Sequence, residues 1–327
     1  MKQTLKNKKV LVTGGAGFIG SNLVDSLLLA GNYVVCLDNF STGKRENLKD
    51  HLNDPNFKLI EGDIRNYDDC LKAVNEIDVV FHQAALGSVP RSIIDPVSTT
   101  DVNIGGFVKM LFASKERGIK RFIYAASSST YGDHPDLPKV EDKIGLPLSP
   151  YGITKYVNEL YAGNFVKNYG VEVIGLRYFN VFGRRQDPDG AYAAVIPKFL
   201  KMLKNHESPV INGDGSFSRD FTYIDNVIQA NHLSAIVDNR ESLNQVYNVA
   251  YGERTSLNQL FDYIQKFAGA YDREILRIPL IYGPERAGDI PHSLASIEKA
   301  KRLLGYSPTH SVLEGLREAV KWFWDNL

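Results

Sequence analysis

The sequence lacks the features that mark nucleic-acid-binding and membrane-spanning proteins. Its 327 residues carry 38 Lys plus Arg and 38 Asp plus Glu, so the formal net charge is zero and no electrostatic case for nucleic-acid binding exists. No apolar run is long enough to cross a bilayer, and the polar, Lys-rich start up to Lys9 does not resemble a signal peptide. We therefore expect a cytoplasmic protein with no membrane partner.

Cysteine is scarce, and histidine is never clustered. Cys36 and Cys70 fall in a predicted strand and a predicted helix, which favours buried thiols in a reducing compartment over a disulfide. The seven histidines are scattered, and no spacing of His, Cys, Asp and Glu is typical of a metal site. The sequence therefore predicts no metal centre.

The first half of the chain alternates strand and helix patterns. Such alternation predicts an α/β fold, a doubly wound parallel sheet with helices on both faces and ligands beyond the carboxyl ends of the strands. Strands are expected at 9–13, 33–38, 57–63, 79–85, 121–127 and 171–179, with helices at 18–30, 67–75, 99–117 and 150–169.

A glycine-rich turn follows the first predicted strand. Gly14 permits a tight turn, and Gly17 lets a pyrophosphate approach the backbone N–H groups at a helix N-terminus. Gly20 lets the helix pack closely against the strand. Asp38 ends the second predicted strand, at the offset where a carboxylate binds the adenosine ribose. This predicts a Rossmann-type dinucleotide site, and Asp38 favours NAD because it would repel the 2′-phosphate of NADP.

The second half has a different sequence pattern: a polar loop follows Asn180, and most of the remaining segments are predicted helices. These are expected at 191–204, 224–237, 256–267, 296–304 and 311–325, and Ser256 and Ser311 are predicted N-caps. We expect residues 1–180 to form the NAD-binding domain and 181–327 a smaller, mixed α/β substrate domain. Part of 221–250 is expected to return to the sheet.

A candidate catalytic pair opens the helix predicted at 150–169. Ser149 and Pro150 suit the N-cap and first position, and Tyr151 and Lys155 are four residues apart on one helix face. A nearby ammonium, together with the positive nicotinamide of an oxidised cofactor, is expected to stabilise a Tyr151 phenolate. Ser127 and Ser128 follow the fifth strand, where a serine could hydrogen-bond the same substrate oxygen.

With these motifs, the chain resembles extended short-chain dehydrogenase/reductases. Nearly its whole length is similar to nucleotide-sugar 4-epimerases, most closely to the UDP-N-acetylglucosamine/UDP-N-acetylgalactosamine branch of bacterial surface-polysaccharide (O-antigen and capsule) synthesis. The segments that carry this resemblance are 84–92, 127–133, 176–183, 213–215 and 219–221.

The resemblance implies NAD as cofactor, Tyr151 and Lys155 with Ser127 and Ser128 as catalytic residues, and a UDP-sugar as substrate. The residues that it places around NAD are Gly14, Gly17, Phe18, Ile19, Asp38, Asn39, Phe40, Ser41, Thr42, Gly43, Asp63, Ile64, Gln83, Ala84, Ala85, Asn103, Tyr151, Lys155 and Tyr178. Those that it places around the substrate are Gly87, Ser88, Ser128, Asn180, Gln186, Ala194, Val195, Asn212, Arg219, Arg286, Asp289 and Ser293.

The same resemblance leads to expectations about substrate and assembly. A serine at 293, where relatives with a tyrosine leave little room, favours an N-acetylated sugar, with weaker action on UDP-glucose and UDP-galactose. Apolar stripes on the helices at 99–117 and 150–169 (Val102, Phe107, Met110 and Leu111; Val157, Leu160, Tyr161 and Phe165) suggest a homodimer through a four-helix bundle, although they could equally be core.

Other functions on this scaffold stay open. Nucleotide-sugar 4,6-dehydratases and decarboxylases also oxidise C4, but they carry acidic residues after the fifth strand, where this chain has Ser128, Ser129 and Thr130 and no carboxylate before Asp133. A catalytically silent NAD-binding protein usually lacks the Tyr/Lys pair, which is present here.

Overall fold

A computed structural model describes residues 3–189, 193–285 and 291–327. Its central feature is a sheet of seven strands that are all parallel, in the order β11-β6-β5-β4-β1-β2-β3. This confirms the predicted fold class. The strands are β1 (Lys9–Thr13), β2 (Tyr33–Asp38), β3 (Phe57–Glu61), β4 (Val79–His82), β5 (Arg121–Ser127), β6 (Glu172–Tyr178) and β11 (Gln245–Val249).

Six short strands form three small paired ribbons outside this sheet. Two of the ribbons are parallel, and the third is antiparallel. They are β7 (Val181–Phe182) with β10 (Thr222–Tyr223), β8 (Val210–Asn212) with β13 (Ile281–Gly283), and β9 (Ser218–Arg219) with β12 (Thr255–Ser256).

Helices cover both faces of the sheet, because its inner strands are largely apolar on both sides and must be buried on both. One buried cluster runs from Leu5 to Phe323 and joins α1 to the C-terminal helices, and the other lies under α2, α5 and α6. The helices are α1 (Phe18–Leu29), α2 (Tyr67–Ala73), α3 (Val89–Ile94), α4 (Pro96–Thr100), α5 (Phe107–Glu116), α6 (Pro150–Tyr169), α7 (Val195–Lys204), α8 (Ile224–Ile236), α9 (Leu257–Ala268), α10 (Glu298–Leu304) and α11 (Val312–Asn326).

Local capping signals fix several helix starts. Ser149 Oγ accepts from Gly152 N and Pro150 is the first residue of α6, as the sequence predicts. Ser256 and Ser311 cap α9 and α11, each with a complete capping box. The N-cap predictions are therefore confirmed.

The helix predicted at 99–117 is not continuous. A π-helical turn, Asp101–Gly106, joins α4 to α5. A Cβ on Gly106 would lie 2.5 Å from Ile64 Cδ1, so this backbone packs unusually close to its neighbour. Short 3₁₀ turns occur at Arg45–His51, Ser128–Tyr131, Arg240–Ser242 and Arg273–Arg277.

The apolar stripe on the helix predicted at 99–117 is core. Phe107, Met110 and Leu111 are fully buried within this chain, so they are not the uncovered surface that the sequence suggested for a dimer. On α6, Leu160 and Tyr161 are exposed while Phe165 is buried. Among the described residues, no helix combines the length and hydrophobicity needed to cross a bilayer.

Candidate functional site

A cleft of about 470 Å³ lies at the carboxyl edge of the sheet, where β1, β2, β4 and β5 end. Most of the predicted cofactor residues line it, together with both members of the Tyr/Lys pair. The predicted residues that meet there are Gly14, Gly17, Phe18, Ile19, Asp38, Asn39, Ser41, Thr42, Gly43, Asp63, Ile64, Gln83, Ala84, Ala85, Gly87, Ser88, Ser127, Tyr151, Lys155, Tyr178, Gln186 and Ala194.

The glycine turn forms the floor of one end of the cleft. Gly14 has φ +68°, and a Cβ there would lie 2.7 Å from Ala84 Cα. Gly17 is the N-cap of α1, so the unpaired N–H groups of the first helical turn face the cleft, and no side chain caps them. The turn therefore presents backbone donors to a ligand, as a dinucleotide pyrophosphate requires.

Asp38 holds this turn against the second strand. Its Oδ2 accepts from Ala16 N (2.9 Å) and its Oδ1 from Phe40 N (2.8 Å). Burial raises the pKa of this carboxyl group, and the backbone hydrogen bonds lower it in part. Asp38 lines the cleft, and each of its carboxylate oxygens can accept one more hydrogen bond. This arrangement suits the two hydroxyls of a ribose.

The wall beyond Asp38 is organised by Asp63. Its carboxylate accepts from Asn39 Nδ2 (2.8 Å) and from Arg65 Nη2 (2.7 Å). Hydrogen bonding to Arg65 lowers the pKa of Asp63 to about 2. Arg65 was not among the predicted site residues, although its position two residues after Asp63 was a local signal.

Tyr151 and Lys155 lie on the first turns of α6, directed at the end of β5. Tyr151 hydrogen-bonds the Ser127 side chain, and Lys155 Nζ donates to Ala125 O (2.7 Å) and lies 5.9 Å from the centroid of the Tyr151 ring. Burial raises the pKa of Tyr151, with the Ser127 bond lowering it in part, and burial lowers the pKa of Lys155 to about 8. The phenol of the chain alone is therefore neutral at pH 7.

A second hollow, of about 390 Å³, shares its wall with the cleft through Val181, Gln186, Ala193 and Ala194. It collects half of the predicted substrate residues: Asn180, Gln186, Ala194, Val195, Asn212 and Arg219. Arg219 Nη1 donates to Ser218 O and Pro291 O, both at 3.0 Å, which ties the arginine to the segment that carries Ser293.

Four predicted residues line neither space. The Phe40 ring lies under the guanidinium of Arg45, 4.0 Å from it, and Ser128 is on the 3₁₀ turn after β5. Ser293 is half-buried, and its N–H is bonded to the carbonyl of Ser218, the residue before Arg219. Asn103 is buried in the π-helical turn and bonds the backbone of Leu86 and the Thr154 hydroxyl. Arg286 and Asp289 lie outside the described residues.

Several residues of the site gave no recognisable signal in the sequence. Lys44, Arg185 and Asp187 line the cleft, and Asn231 hydrogen-bonds two residues of its wall. Lys44 and Asp187 belong to loops 143 positions apart, and nothing in loop composition indicates that they meet.

Three potential metal ligands meet away from the cleft, which the sequence spacing did not predict. Asp225, His310 and Glu318 place one ligand atom each within 4.8 Å of one another. Arg184 Nη1 lies 2.9 Å from Asp225 Oδ1, and Tyr223 donates to Glu318 (2.9 Å). The carboxylate of Asp225 therefore already has a cationic partner.

Known proteins share this architecture along its length. The profile of the NAD dependent epimerase/dehydratase family matches residues 10–250. A putative UDP-glucose 4-epimerase of Methanocaldococcus jannaschii is 38% identical over 97% of this chain and 99% of its own.

Two solved structures superpose closely, and both cover nearly all of each chain. The UDP-N-acetylglucosamine 4-epimerase from Methanobrevibacter ruminantium M1, in complex with UDP-N-acetylmuramic acid, has TM-score 0.91 and 44% identity and covers 99% of this chain and 100% of its own. The UDP-glucose 4-epimerase from Thermotoga maritima, with UDP-glucose, has TM-score 0.88 and 37% identity and covers 97% and 99%.

Proposed function

Because this chain belongs to the NAD dependent epimerase/dehydratase family, we propose that it interconverts UDP-N-acetylglucosamine and UDP-N-acetylgalactosamine. It is a nucleotide-sugar 4-epimerase with NAD as its cofactor, and the proposal concerns its sugar preference. UDP-glucose and UDP-galactose are proposed as weaker substrates. We further propose that it works in the cytoplasm and supplies an N-acetylhexosamine donor to surface-polysaccharide synthesis.

The observation that carries the N-acetyl preference is the wall between the cleft and the second hollow. This wall includes Ala193 and Ala194, whose side chains are small, and Ser293 belongs to the segment that is bonded to Ser218 and Arg219. Small side chains at these positions leave volume for an acetamido group. The relative that is 44% identical is named as acting on UDP-N-acetylglucosamine.

Three independent features of the cleft suit the binding of NAD. A Cβ at Gly14 would collide with Ala84, so the turn keeps this shape only as glycine, and it leaves the backbone N–H groups at the start of α1 for a ligand. Asp38 offers acceptors at the end of β2, and Asp63 with Asn39 forms a polar wall beyond it. Bound NAD would take up hydride from the sugar C4 and return it to the opposite face.

The proposed roles of the chain's own residues follow from their contacts. Lys155 and the positive nicotinamide of bound NAD would stabilise Tyr151 as a phenolate, which takes the proton from the sugar O4 and later returns it, and the Ser127 hydroxyl is proposed to hydrogen-bond the same sugar oxygen. Lys155 supplies positive charge below the tyrosine and is held in place by Ala125 O. Asn180 and Arg219 are proposed to bind the diphosphate at the second hollow, with Arg286 and Asp289 completing the nucleotide site.

A 4,6-dehydratase is the main alternative, and the cleft disfavours it. Among the described residues that line the cleft, the acidic ones are Asp38, Asp63 and Asp187, and none lies on the segment after β5. Asp133 is exposed, and its Oδ1 accepts from Leu146 N at 2.8 Å, which directs it to the backbone. An acid for water elimination is therefore missing from this part of the site.

Product analysis tests the proposal directly. The purified protein is incubated with UDP-N-acetylglucosamine, UDP-N-acetylgalactosamine, UDP-glucose and UDP-galactose, each without added cofactor, and products are resolved by NMR. We expect fast conversion of the acetylated pair and slower conversion of the other pair. Equal rates for both pairs contradict the preference, and a product lighter by one water contradicts epimerisation.

The role of Ser293 has a matched test. Ser293→Tyr should reduce kcat/KM for UDP-N-acetylglucosamine far more than for UDP-glucose, because the larger side chain would occupy the volume proposed for the acetamido group. Ser216→Tyr, at an exposed serine of the neighbouring loop, serves as the control and should leave the ratio unchanged. Equal losses on both sugars in Ser293→Tyr would rule out this role.

Tyr151→Phe separates catalysis from silent cofactor binding. The variant keeps the ring and loses the phenol oxygen, so conversion should fall by about two to four orders of magnitude while NAD stays bound. A wild-type protein that binds NAD but converts none of the four sugars, with Tyr151→Phe indistinguishable from it, would favour the silent alternative.

A homodimer remains a proposal, and the exposed apolar residues support it. Ile153, Leu160 and Tyr161 on α6 lie exposed, as do Ile93, Ile94 and Val97 of α3 and α4, which contact α6. A second copy of this chain, packed through α6 and the neighbouring α3 and α4, is the proposed occupant. Leu160→Glu should convert a dimer to a monomer in light scattering, whereas Leu52→Glu, at an equally exposed leucine of a separate segment, should not.

A further inference from the structure

Three side chains form a closed ring of hydrogen bonds behind the reactive end of the cleft, which is the end lined by Ser127, Tyr151 and Lys155. Gln83 Nε2 donates to Asn231 Oδ1 (3.2 Å), Asn231 Nδ2 donates to the Tyr178 hydroxyl (3.0 Å), and that hydroxyl donates to Gln83 Oε1 (3.2 Å). Each member both donates and accepts. The ring therefore has a single direction, and a change at one member affects the other two.

The orientation of the Asn231 amide is fixed by more than the ring. Its Nδ2 also donates to Val227 O (2.8 Å) on the same helix, α8. A flipped amide would place its oxygen against that carbonyl and its nitrogen against Gln83 Nε2, and both contacts would be repulsive. Since Asn231 is fully buried, no water competes with this arrangement.

The ring joins distant parts of the chain at the catalytic centre. Gln83 follows β4 and Tyr178 ends β6, so they flank the end of β5, where Ser127 meets Tyr151. Gln83 and Tyr178 line the cleft, whereas Asn231 stands behind them and does not. Asn231 is thus placed to hold two walls of the reactive end without touching a ligand.

We propose that Asn231 is a positioning residue for hydride transfer, acting through Gln83 and Tyr178. This rests on the proposed function, because it assumes that the reactive end of the cofactor lies between these walls and the Tyr151 phenol. Loss of the amide frees the Tyr178 ring and the Gln83 amide to adopt other rotamers. The distance over which hydride must move then varies, while the hollow that binds the nucleotide is unchanged.

The test compares two buried asparagines of α8. Asn231→Leu removes the ring amide, and Asn226→Leu removes an equally buried amide that bonds Thr309 N, His310 N and His310 O, outside the cleft. Both should lower the thermal midpoint to a similar degree. Only Asn231→Leu should lower kcat, by about tenfold to a hundredfold with KM within about twofold, because misplacement affects the chemical step more than binding.

Two further measurements separate positioning from general damage. With substrate deuterated at C4, the isotope effect on kcat should rise in Asn231→Leu and stay at the wild-type value in Asn226→Leu. Calorimetric titration of the apoprotein with NAD, which needs no activity, should show weaker binding only in Asn231→Leu. In a Tyr178→Phe background the same substitution should add little, because the ring is already open.

The outcomes distinguish this inference from the proposed function. If wild type is active and Asn231→Leu matches Asn226→Leu in kcat, isotope effect and NAD affinity, the inference is overturned and the function stands. If wild type converts no sugar, the function fails, while the NAD titration still decides whether Asn231 shapes the cleft. Should Asn231→Leu not fold, Asn231→Ser, which is smaller and keeps a polar group, takes its place with the same expectations.

Discussion

Lys44 Nζ and Asp187 Oδ1 lie 2.9 Å apart and join the loop after β2 to the loop after β7. Both residues line the cleft, and both loops have further attachments: Lys44 N donates to Ala16 O, and Arg185 pairs with Asp25 at 2.8 Å. The two loops therefore bracket the proposed NAD site, and this ion pair connects them directly.

We expect this ion pair to slow the release of NAD. Lys44→Met should raise the NAD dissociation rate by about twofold to fivefold, because an exposed pair contributes about 0.2–1 kcal/mol. The rate is measured by exchange of bound NAD against a labelled excess, and the effect should shrink in high salt. Lys9→Met removes an ion pair of equal length, Lys9–Glu76, far from the cleft, and should leave the rate unchanged. Equal rates in all three proteins would contradict the idea.

A comparison of Gly14 with Gly118 separates the cost of backbone strain from the cost of a steric clash. Their φ angles are +68° and +69°, yet a Cβ at Gly14 would lie 2.7 Å from Ala84 Cα, whereas one at Gly118 would meet no atom within 4 Å. Alanine at either site costs about 1–2 kcal/mol of conformational strain. Only Gly14→Ala should also weaken NAD binding, by at least about tenfold, measured by calorimetry on the apoprotein. Similar NAD affinities in the two variants would show that the turn tolerates a side chain.

Local signals in the sequence were sufficient for the elements that build the cleft. The strand, glycine turn and helix around Gly14, the carboxylate at Asp38 and the capped start of α6 at Ser149 each depend on residues a few positions apart, and the structure has them where predicted. These are features that backbone geometry and capping chemistry determine without the rest of the fold.

Features that depend on tertiary contacts could not be read in this way. Asn231 bonds Gln83 across 148 positions, and Asp187 pairs with Lys44 across 143. The π-helical turn at Asp101–Gly106 ends at Gly106, whose close packing against Ile64 no periodicity encodes. The neutral state of Tyr151 in the chain alone likewise results from burial, which depends on the whole fold.

A buried ion pair couples the catalytic helix to the sheet. Glu159 of α6 binds Arg177 of β6 through two bonds, at 2.8 and 2.7 Å, and both side chains are almost fully buried. Glu159→Gln should lower the free energy of unfolding by about 3–5 kcal/mol, since it leaves a buried guanidinium without its counter-charge. Urea denaturation measures this.

The matched control for that pair is on the surface. Arg45 and Glu61 are 2.6 Å apart with both side chains more than half exposed. Glu61→Gln should change the free energy of unfolding by less than about 0.5 kcal/mol. If Glu159→Gln were equally mild, water or a neighbouring carbonyl would have to compensate the guanidinium, and the coupling of α6 to β6 would not depend on this pair.

Lys155 sets the expected alkaline limit of activity. Burial lowers its pKa from 10.5 to about 8, so the ammonium is present below that pH and is lost as the pH rises through it. If the positive charge supports the Tyr151 phenol oxygen, kcat/KM should fall above about pH 8, since this ratio reports ionisations of the free enzyme. The titration of Lys155 does not itself cause unfolding in this range: because its folded pKa lies below its unfolded one, its contribution to the free energy of unfolding rises as the pH goes from about 8 to 10.5.

Lys155→Arg provides the decisive comparison, because a guanidinium stays charged throughout this range. The variant should be less active, since its larger planar head fits the site below Ala125 O poorly, but its kcat/KM should no longer decline between about pH 7 and 9.5. An alkaline decline that persists unchanged in Lys155→Arg would assign the limit to another group and remove the charge of Lys155 from the account of how Tyr151 is activated.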